Sequence, residues 1–250
     1  MEIKKLRVGS VSYLNAKPLI YGFEKGEMKD QLELIIDYPS AIATQLIEDR
    51  IDIGLVPVAI IPFLKEYHII SDYCIGCDGE VATVCLFSDV PVEEIKTVLL
   101  DYQSKTSVAL LKILLKDHWK ISPELINAGE GYEKNINGTT AGLVIGDRAF
   151  AQRTKSKFIY DLGRAWKDMT GLPFVFAAWV SNKKLDPGFL ENFNKANKDS
   201  LENLEEVLLH TGPINFDIKK YFTEYIKYDL DDAKRYALEY FLTNELMVTE

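Results

Sequence analysis

Cysteine and histidine are scarce in this chain, with three of each among 250 residues. Three cysteines cannot form a framework of paired disulfides, which predicts a protein of a reducing compartment. Cys74 and Cys77 have the spacing of a zinc knuckle, but there is no second pair and no neighbouring histidine. We therefore expect buried, reduced cysteines and no metal site.

Long apolar runs and clusters of basic residues are also absent. No run approaches the ~20 apolar residues that a membrane-spanning helix needs, so we expect no membrane association. The formal net charge is −9 and the Lys and Arg residues are scattered, which argues against a nucleic-acid partner. The first residues lead directly into a strand pattern without a secretory signal, and a cytoplasmic location is expected.

What is present is an alternation of apolar strands and amphipathic helices, typical of an α/β protein. The pattern starts anew near residue 90, and helical segments follow residue 186. We predict two lobes, with residues 1–88 and 181–250 in the first and residues 89–180 in the second. The chain would cross between them at residues 87–91 and 175–182, and a ligand would bind in the cleft between the lobes.

A first candidate for the cleft is Asn15. Leu6, Val8 and Val11 read as a buried strand, and Pro18 suits the first turn of a helix. An amide is therefore held at the carboxyl end of a strand, where ligands bind in open α/β sheets. The alternative is that Asn15 only caps the helix that follows.

A second candidate is the helix start at residues 104–107. Ser104, Thr106 and Ser107 bring three hydroxyls to a helix N-terminus, where unpaired N–H groups and the helix dipole favour a carboxylate or phosphate. The alternative is a well-capped helix that binds nothing. Because the chain is acidic overall, an anionic ligand would depend on such local donors.

Further stretches point to the same edge of the predicted sheets. The apolar strand at residues 51–57 ends at Pro57, and the strand at residues 141–147 ends in Gly146 and Asp147, where we expect Asp147 to be a cap. Thr83 lies within a strand predicted for residues 81–88, after a turn at residues 78–79. A loop at residues 166–174 carries Trp and Phe side chains, which would cover the cleft or pack between the lobes.

Four of these stretches together resemble one family, the chorismate dehydratases of the futalosine route to menaquinone. They are residues 11–19 (VSYLNAKPL), 52–57 (DIGLVP), 104–110 (SKTSVAL) and 170–177 (TGLPFVFA), and the resemblance extends over essentially the whole chain. It implies a type II periplasmic-binding-protein fold and catalysis without a metal or nucleotide cofactor. The implied reaction converts chorismate into 3-[(1-carboxyvinyl)oxy]benzoate and water.

The resemblance also assigns roles to residues. The family's amide falls on Asn15, and the hydroxyl residue that faces it, often serine, falls on Thr83; these two are the predicted catalytic residues. Lys105 stands where many relatives have arginine. The expected substrate contacts come from the four motifs: Tyr13, Pro57, Ser104, Thr106, Ser107, Thr170, Gly171 and Pro173.

Two other functions stay open from the sequence. A non-catalytic solute-binding protein of the same fold would bind a small carboxylate anion and leave it unchanged. The effector domain of a transcription regulator is disfavoured, because no helix-turn-helix precedes the first strand. The oligomeric state is not encoded in any of these patterns.

Overall fold

A computed structural model of the protein describes residues 5–26 and 28–248, with side chains up to Asn244 in the last helix. Residues 1–4, 249 and 250, which were predicted to belong to the first lobe, lie outside this part. No helix within the described ranges is long and apolar enough to cross a membrane.

The regular structure of the described chain comprises eleven strands, nine α-helices and six short 3-10 or π-helical segments. The strands are β1 Leu6–Val11, β2 Leu32–Asp37, β3 Ile53–Pro57, β4 His68–Cys77, β5 Val84–Ser88, β6 Thr97–Leu100, β7 Glu124–Asn127, β8 Thr140–Ile145, β9 Phe158–Asp161, β10 Phe174–Ser181 and β11 Lys227–Asp229. The helices are α1 Lys17–Lys25, α2 Pro39–Ile47, α3 Lys105–Ile113, α4 Arg148–Gln152, α5 Leu162–Thr170, α6 Pro187–Glu202, α7 Leu204–Leu209, α8 Ile218–Lys220 and α9 Asp232–Val248.

The strands form two sheets, each in its own lobe. The six-stranded sheet of the first lobe has the order β11-β4-β10-β3-β1-β2, and the five-stranded sheet of the second has the order β7-β6-β8-β5-β9. β1 pairs in parallel with both β2 and β3, as expected for strands joined by α1 and α2. β10 lies antiparallel between β3 and β4. The predicted mixed α/β architecture in two lobes is therefore confirmed.

The lobe boundaries differ from the prediction. β5 pairs with β8 and β9 in the second sheet, and β10 lies in the first sheet. The chain therefore crosses between Cys77 and Val84, and again between Thr170 and Phe174. The predicted crossings at residues 87–91 and 175–182 are wrong, and residues 78–79, which were predicted as a turn, lie within the first crossing. Both β5 and β10 are buried along their whole length, so no alternation indicated which sheet each joins.

Large aromatic side chains fill the space where the lobes meet. Trp166 is fully buried, with its ring centroid 5.2 Å from that of Phe174 and 6.0 Å from that of Phe241. Residues 166–170, predicted as loop, belong to α5, which Asp161 caps by accepting a hydrogen bond from the Arg164 N–H at 3.1 Å. Of the two predicted roles for these aromatics, the structure shows packing between the lobes.

Candidate active site

A cavity between the lobes gathers six of the predicted site residues. Tyr13, Asn15 and Pro57 reach it from the first lobe, Ser104 and Ser107 reach it from the second, and Thr83 lies on the first crossing. Tyr13 and Asn15 follow β1, Pro57 ends β3, Thr83 directly precedes β5, and Ser104 and Ser107 lie at the start of α3. The ends of strands from both sheets therefore meet at a shared cavity. The apolar part of the lining comes from both lobes: Val11, Pro39, Ile75, Val81, Val84, Ile145, Phe176 and Ala177.

Asn15 has an unused hydrogen-bonding group in this cavity. Asn15 is 9% exposed, and its side-chain Oδ1 atom is buried without a hydrogen-bond partner within the described residues. The alternative capping role is not formed, because the N-cap residue of α1 is Ala16 and the Asn15 side chain makes no capping hydrogen bond to that helix. An unpaired buried amide oxygen costs free energy, so its persistence here suggests a partner that the ligand supplies.

Thr83 stands on a strained backbone just before β5, not inside that strand. Ala82 has φ of +65°, which is uncommon for a residue with a side chain. Asp161 stabilises this strained conformation, because its carboxylate accepts hydrogen bonds from the N–H groups of Val81 and Ala82 at 3.1 and 2.7 Å. This arrangement fixes the backbone that carries the Thr83 hydroxyl.

The hydroxyls at the start of α3 divide into two roles. Ser104 is the N-cap, and its Oγ accepts a hydrogen bond from the Ser107 N–H at 3.2 Å while both side chains line the cavity. Thr106 is fully buried, and its Oγ1 accepts a hydrogen bond from the Ala59 N–H at 3.1 Å. Thr106 therefore joins the second lobe to the first and does not line the cavity.

Tyr13 crosses the cleft and reaches a charged cluster of the second lobe. Its hydroxyl donates to Gln103 Oε1, which also accepts from Arg148 at 3.0 Å. Arg148 forms a 2.5 Å ion pair with the buried carboxylate of Asp101. Burial raises the pKa of Tyr13, and the negative charge of Asp101 adds to the shift. Tyr13 is consequently a neutral hydrogen-bonding group at physiological pH.

Asp147 is not the helix cap that the sequence predicted. Its side chain does not cap α4, although the residue precedes that helix. Its carboxylate instead accepts a hydrogen bond from the Leu14 N–H across the cleft at 3.1 Å. Together with the contacts of Tyr13 and Thr106, this bond describes a closed cleft, whose free volume of about 40 Å³ is little more than a water molecule occupies.

Three predicted substrate contacts lie elsewhere. Thr170 lines a different surface hollow with Tyr236 and Tyr240, and its Oγ1 donates to the Trp166 carbonyl at 2.8 Å. Gly171 ends α5 in a left-handed conformation, with φ of +74°. The Pro173 carbonyl accepts from Trp166 Nε1 at 3.0 Å. The structure does not bring these residues to the cavity, because the motif forms the end of a helix and the second crossing.

Two features of the site were not anticipated from sequence. The Gln103, Arg148 and Asp101 cluster was missed, although Asp101 and Gln103 closely precede the predicted helix start. The second is Tyr221, a fully buried residue whose hydroxyl lies 2.7 Å from Thr83 Oγ1. A tyrosine inside a helical apolar stripe carries no local signal of such a contact.

The cavity lining contains no carboxylate, histidine or lysine among the described residues, and Tyr13 is its one ionisable side chain. Over the same ranges, no group of three or more His, Cys, Asp and Glu side chains is placed to hold a metal ion. The three cysteines are buried and free. The described lining can therefore contact a ligand through hydrogen bonds and apolar packing, and it contains no side chain that acts as an acid or base near neutral pH.

Two sheets, two crossings and a cavity at the facing strand ends define a two-lobed fold of the periplasmic-binding-protein type. A solved protein of Archaeoglobus fulgidus is similar, with a TM-score of 0.74 at 15% identity, covering 98% of this chain and 97% of that one. A Candida albicans gene product, described as having the generic periplasmic binding protein fold, gives a TM-score of 0.64 at 11% identity, with coverages of 99% and 92%.

Sequence similarity narrows this class to one family. The model of the family described as menaquinone biosynthesis matches residues 6–244, and the chain belongs to this family. A chorismate dehydratase of Thermus thermophilus is 27% identical over 224 residues, which are 76% of this chain and 79% of that protein. A chorismate dehydratase of Campylobacter jejuni is 26% identical over 243 residues, with coverages of 94% and 95%.

Proposed function

We propose that this protein is a chorismate dehydratase, a hydro-lyase that converts chorismate into 3-[(1-carboxyvinyl)oxy]benzoate and water. The family membership and the names of both relatives support this reading. The observation that carries it in the structure is a closed, mostly apolar cavity that has an unpaired amide oxygen and hydroxyls but no enzymic base. Such a site suits a reaction whose substrate supplies its own base.

The elimination removes a hydrogen from the ring carbon that bears the enolpyruvyl ether and the hydroxyl from the adjacent carbon. We propose that the enolpyruvyl carboxylate of the substrate accepts the proton, while the C–O electron pair leaves with the hydroxyl. The hydroxide and the proton form water, and the ring becomes aromatic. Because aromatisation supplies the driving force, positioning within the cavity is the main demand on the protein.

Asn15 and Thr83 are the proposed catalytic residues. The Asn15 amide and the Thr83 hydroxyl hold the ring in place and hydrogen-bond the departing hydroxyl, where negative charge develops. Ser104 and Ser107 are proposed to bind a carboxylate, because free N–H groups of the first turn of α3 lie at the same place. Tyr13 and Pro57 contribute to the walls of the same cavity.

The test is incubation of the purified protein with chorismate, followed by absorbance and mass spectrometry of the product. We expect an aromatic enol-ether benzoate of the substrate mass less one water. A solute-binding protein would bind chorismate in calorimetry and produce no new spectrum, and that outcome would refute the proposal. The cytoplasmic location stays a prediction that fits a biosynthetic role.

A further inference from the structure

The C-terminal part of the first lobe contacts both proposed catalytic residues from behind. Residues 217–230 include α8, a π-helical turn at Tyr221–Tyr225 and β11. Tyr228 donates from its hydroxyl to the backbone carbonyl of Asn15 at 3.0 Å. Tyr221 lies 2.7 Å from Thr83 through their hydroxyl oxygens. Asn15 and Thr83 are therefore each tied to this one segment.

Tyr221 is held rigidly, so its hydroxyl has a fixed place. The residue is fully buried, and its ring contacts Phe150, Phe216 and Phe222, with the Phe150 ring edge-on at a centroid distance of 5.3 Å. Burial raises the pKa of the Tyr221 hydroxyl, and interactions with Thr83 and the Asn15 side chain oppose that shift. Tyr221 accordingly stays protonated at neutral pH and keeps a hydrogen to donate.

The direction of the bond between Tyr221 and Thr83 follows from their acidities. Either oxygen can donate in this contact, and because a phenol is the stronger donor of the two, we take Tyr221 as donor and Thr83 Oγ1 as acceptor. The other oxygen close to Thr83 Oγ1 is the Val81 carbonyl at 3.5 Å, which is too long for a strong hydrogen bond. The hydrogen of Thr83 is thus left free to point into the cavity, which Thr83 lines.

We propose that Tyr221 is a positioning residue that holds Thr83 as a donor toward the departing hydroxyl of the substrate. No proton leaves Tyr221 during the reaction. It donates to Thr83 Oγ1 and so excludes the orientation in which the Thr83 hydrogen points at Tyr221, which leaves that hydrogen for the substrate. This inference rests on the proposed function of the cavity.

The test is Tyr221→Phe, which removes one oxygen and keeps the buried ring. We expect kcat for chorismate to fall about tenfold or more, with KM unchanged within twofold, because misdirection of a transition-state donor affects kcat. In a Thr83→Ala background, the same change should have no further effect on kcat. The matched control is Tyr160→Phe, which loses a hydroxyl contact to the Val92 N–H at 2.8 Å in the second lobe and should keep wild-type kcat.

The outcomes separate this inference from the proposed function. If the wild-type chain turns over chorismate and Tyr221→Phe retains its kcat, or if the effects of the Tyr221 and Thr83 changes simply add, the positioning role is refuted. If the wild-type chain yields no product, the proposed function fails. A neutron crystal structure of the wild type then still decides whether the Thr83 hydroxyl hydrogen points into the cavity, and a hydrogen that points at Tyr221 overturns the inference.

Discussion

The substitution Gly146→Ala is expected to disturb the closed arrangement of the two lobes. Gly146 follows β8 in the second lobe with φ of +61°, and a Cβ added there would lie 2.7 Å from the ring of Tyr13 in the first lobe. Real Cβ atoms do not approach an aromatic carbon so closely, so either the ring must leave its place or the lobes must separate. The substitution therefore opposes closure.

Two separate costs contribute to the expected effect. The left-handed backbone costs about 1 kcal/mol for any L-residue, in the open and closed states alike. Overpacking against the Tyr13 ring costs about 1–3 kcal/mol more, and only in the closed state. If catalysis requires closure, the second cost lowers kcat/KM by between about 5-fold and 150-fold.

The measurement is kcat/KM for chorismate, with the melting temperature recorded for each variant. Gly138→Ala is the matched control, because Gly138 has φ of +54° and a Cβ added there meets nothing within 4 Å. Both variants should lose about 2–4 °C in Tm. Only Gly146→Ala should lose activity and appear more extended in solution scattering with product bound. Equal kcat/KM values for the two variants would show that the contact between Tyr13 and Gly146 has no part in catalysis.

Four further substitutions test the site and the fold. Asn15→Ala should lower kcat by on the order of 10²-fold with little change in KM, and a rise in KM alone would assign it to binding. Ser104→Ala should mainly raise the KM measured with chorismate, whereas Thr106→Val should lower the unfolding free energy by about 1–3 kcal/mol in urea titrations because it leaves the Ala59 N–H unpaired. Burial alone would raise the pKa of Asp52, but hydrogen bonds from Arg7 and Lys183 outweigh it and hold that pKa below its usual range. The Asp52 contribution is therefore complete above the unfolded-state pKa near 4 and is lost as pH falls below it, so Asp52→Asn should destabilise the chain at pH 7 more than at pH 3 in denaturant titrations, and an equal loss at both would contradict this.

The sequence predicted where helices and strands lie better than it predicted which strands pair with each other. β1 and β3 occur close to where apolar strands were predicted, and α3 begins at the predicted position with Ser104 as its N-cap. These features depend on a few neighbouring residues. The lobe assignment of β5 and β10 depends on which distant strand each pairs with, and a fully buried strand shows no sidedness in its sequence.

In the site too, the features that depend on neighbouring residues were predictable, and those that depend on distant contacts were not. Asn15 and Ser104 could be proposed from strand ends and a helix start, and the structure brings both to one cavity. Thr170, Gly171 and Pro173 were included because of a motif resemblance, and their side chains and backbone serve the end of α5 instead. Tyr221 could not be recognised, since a buried phenol and a core phenylalanine give the same periodic pattern.

The tie between Asn15 and Tyr228 joins positions 213 residues apart, and that between Thr83 and Tyr221 joins positions 138 residues apart. Contacts of such sequence separation form late, because a long stretch of chain must be ordered before they close. During synthesis on the ribosome, both proposed catalytic residues emerge long before the segment that fixes them. A nascent chain that has completed β1 to β10 would hold the cavity walls without the buried tyrosines behind them, and catalytic competence would require the later synthesis of residues 217–230.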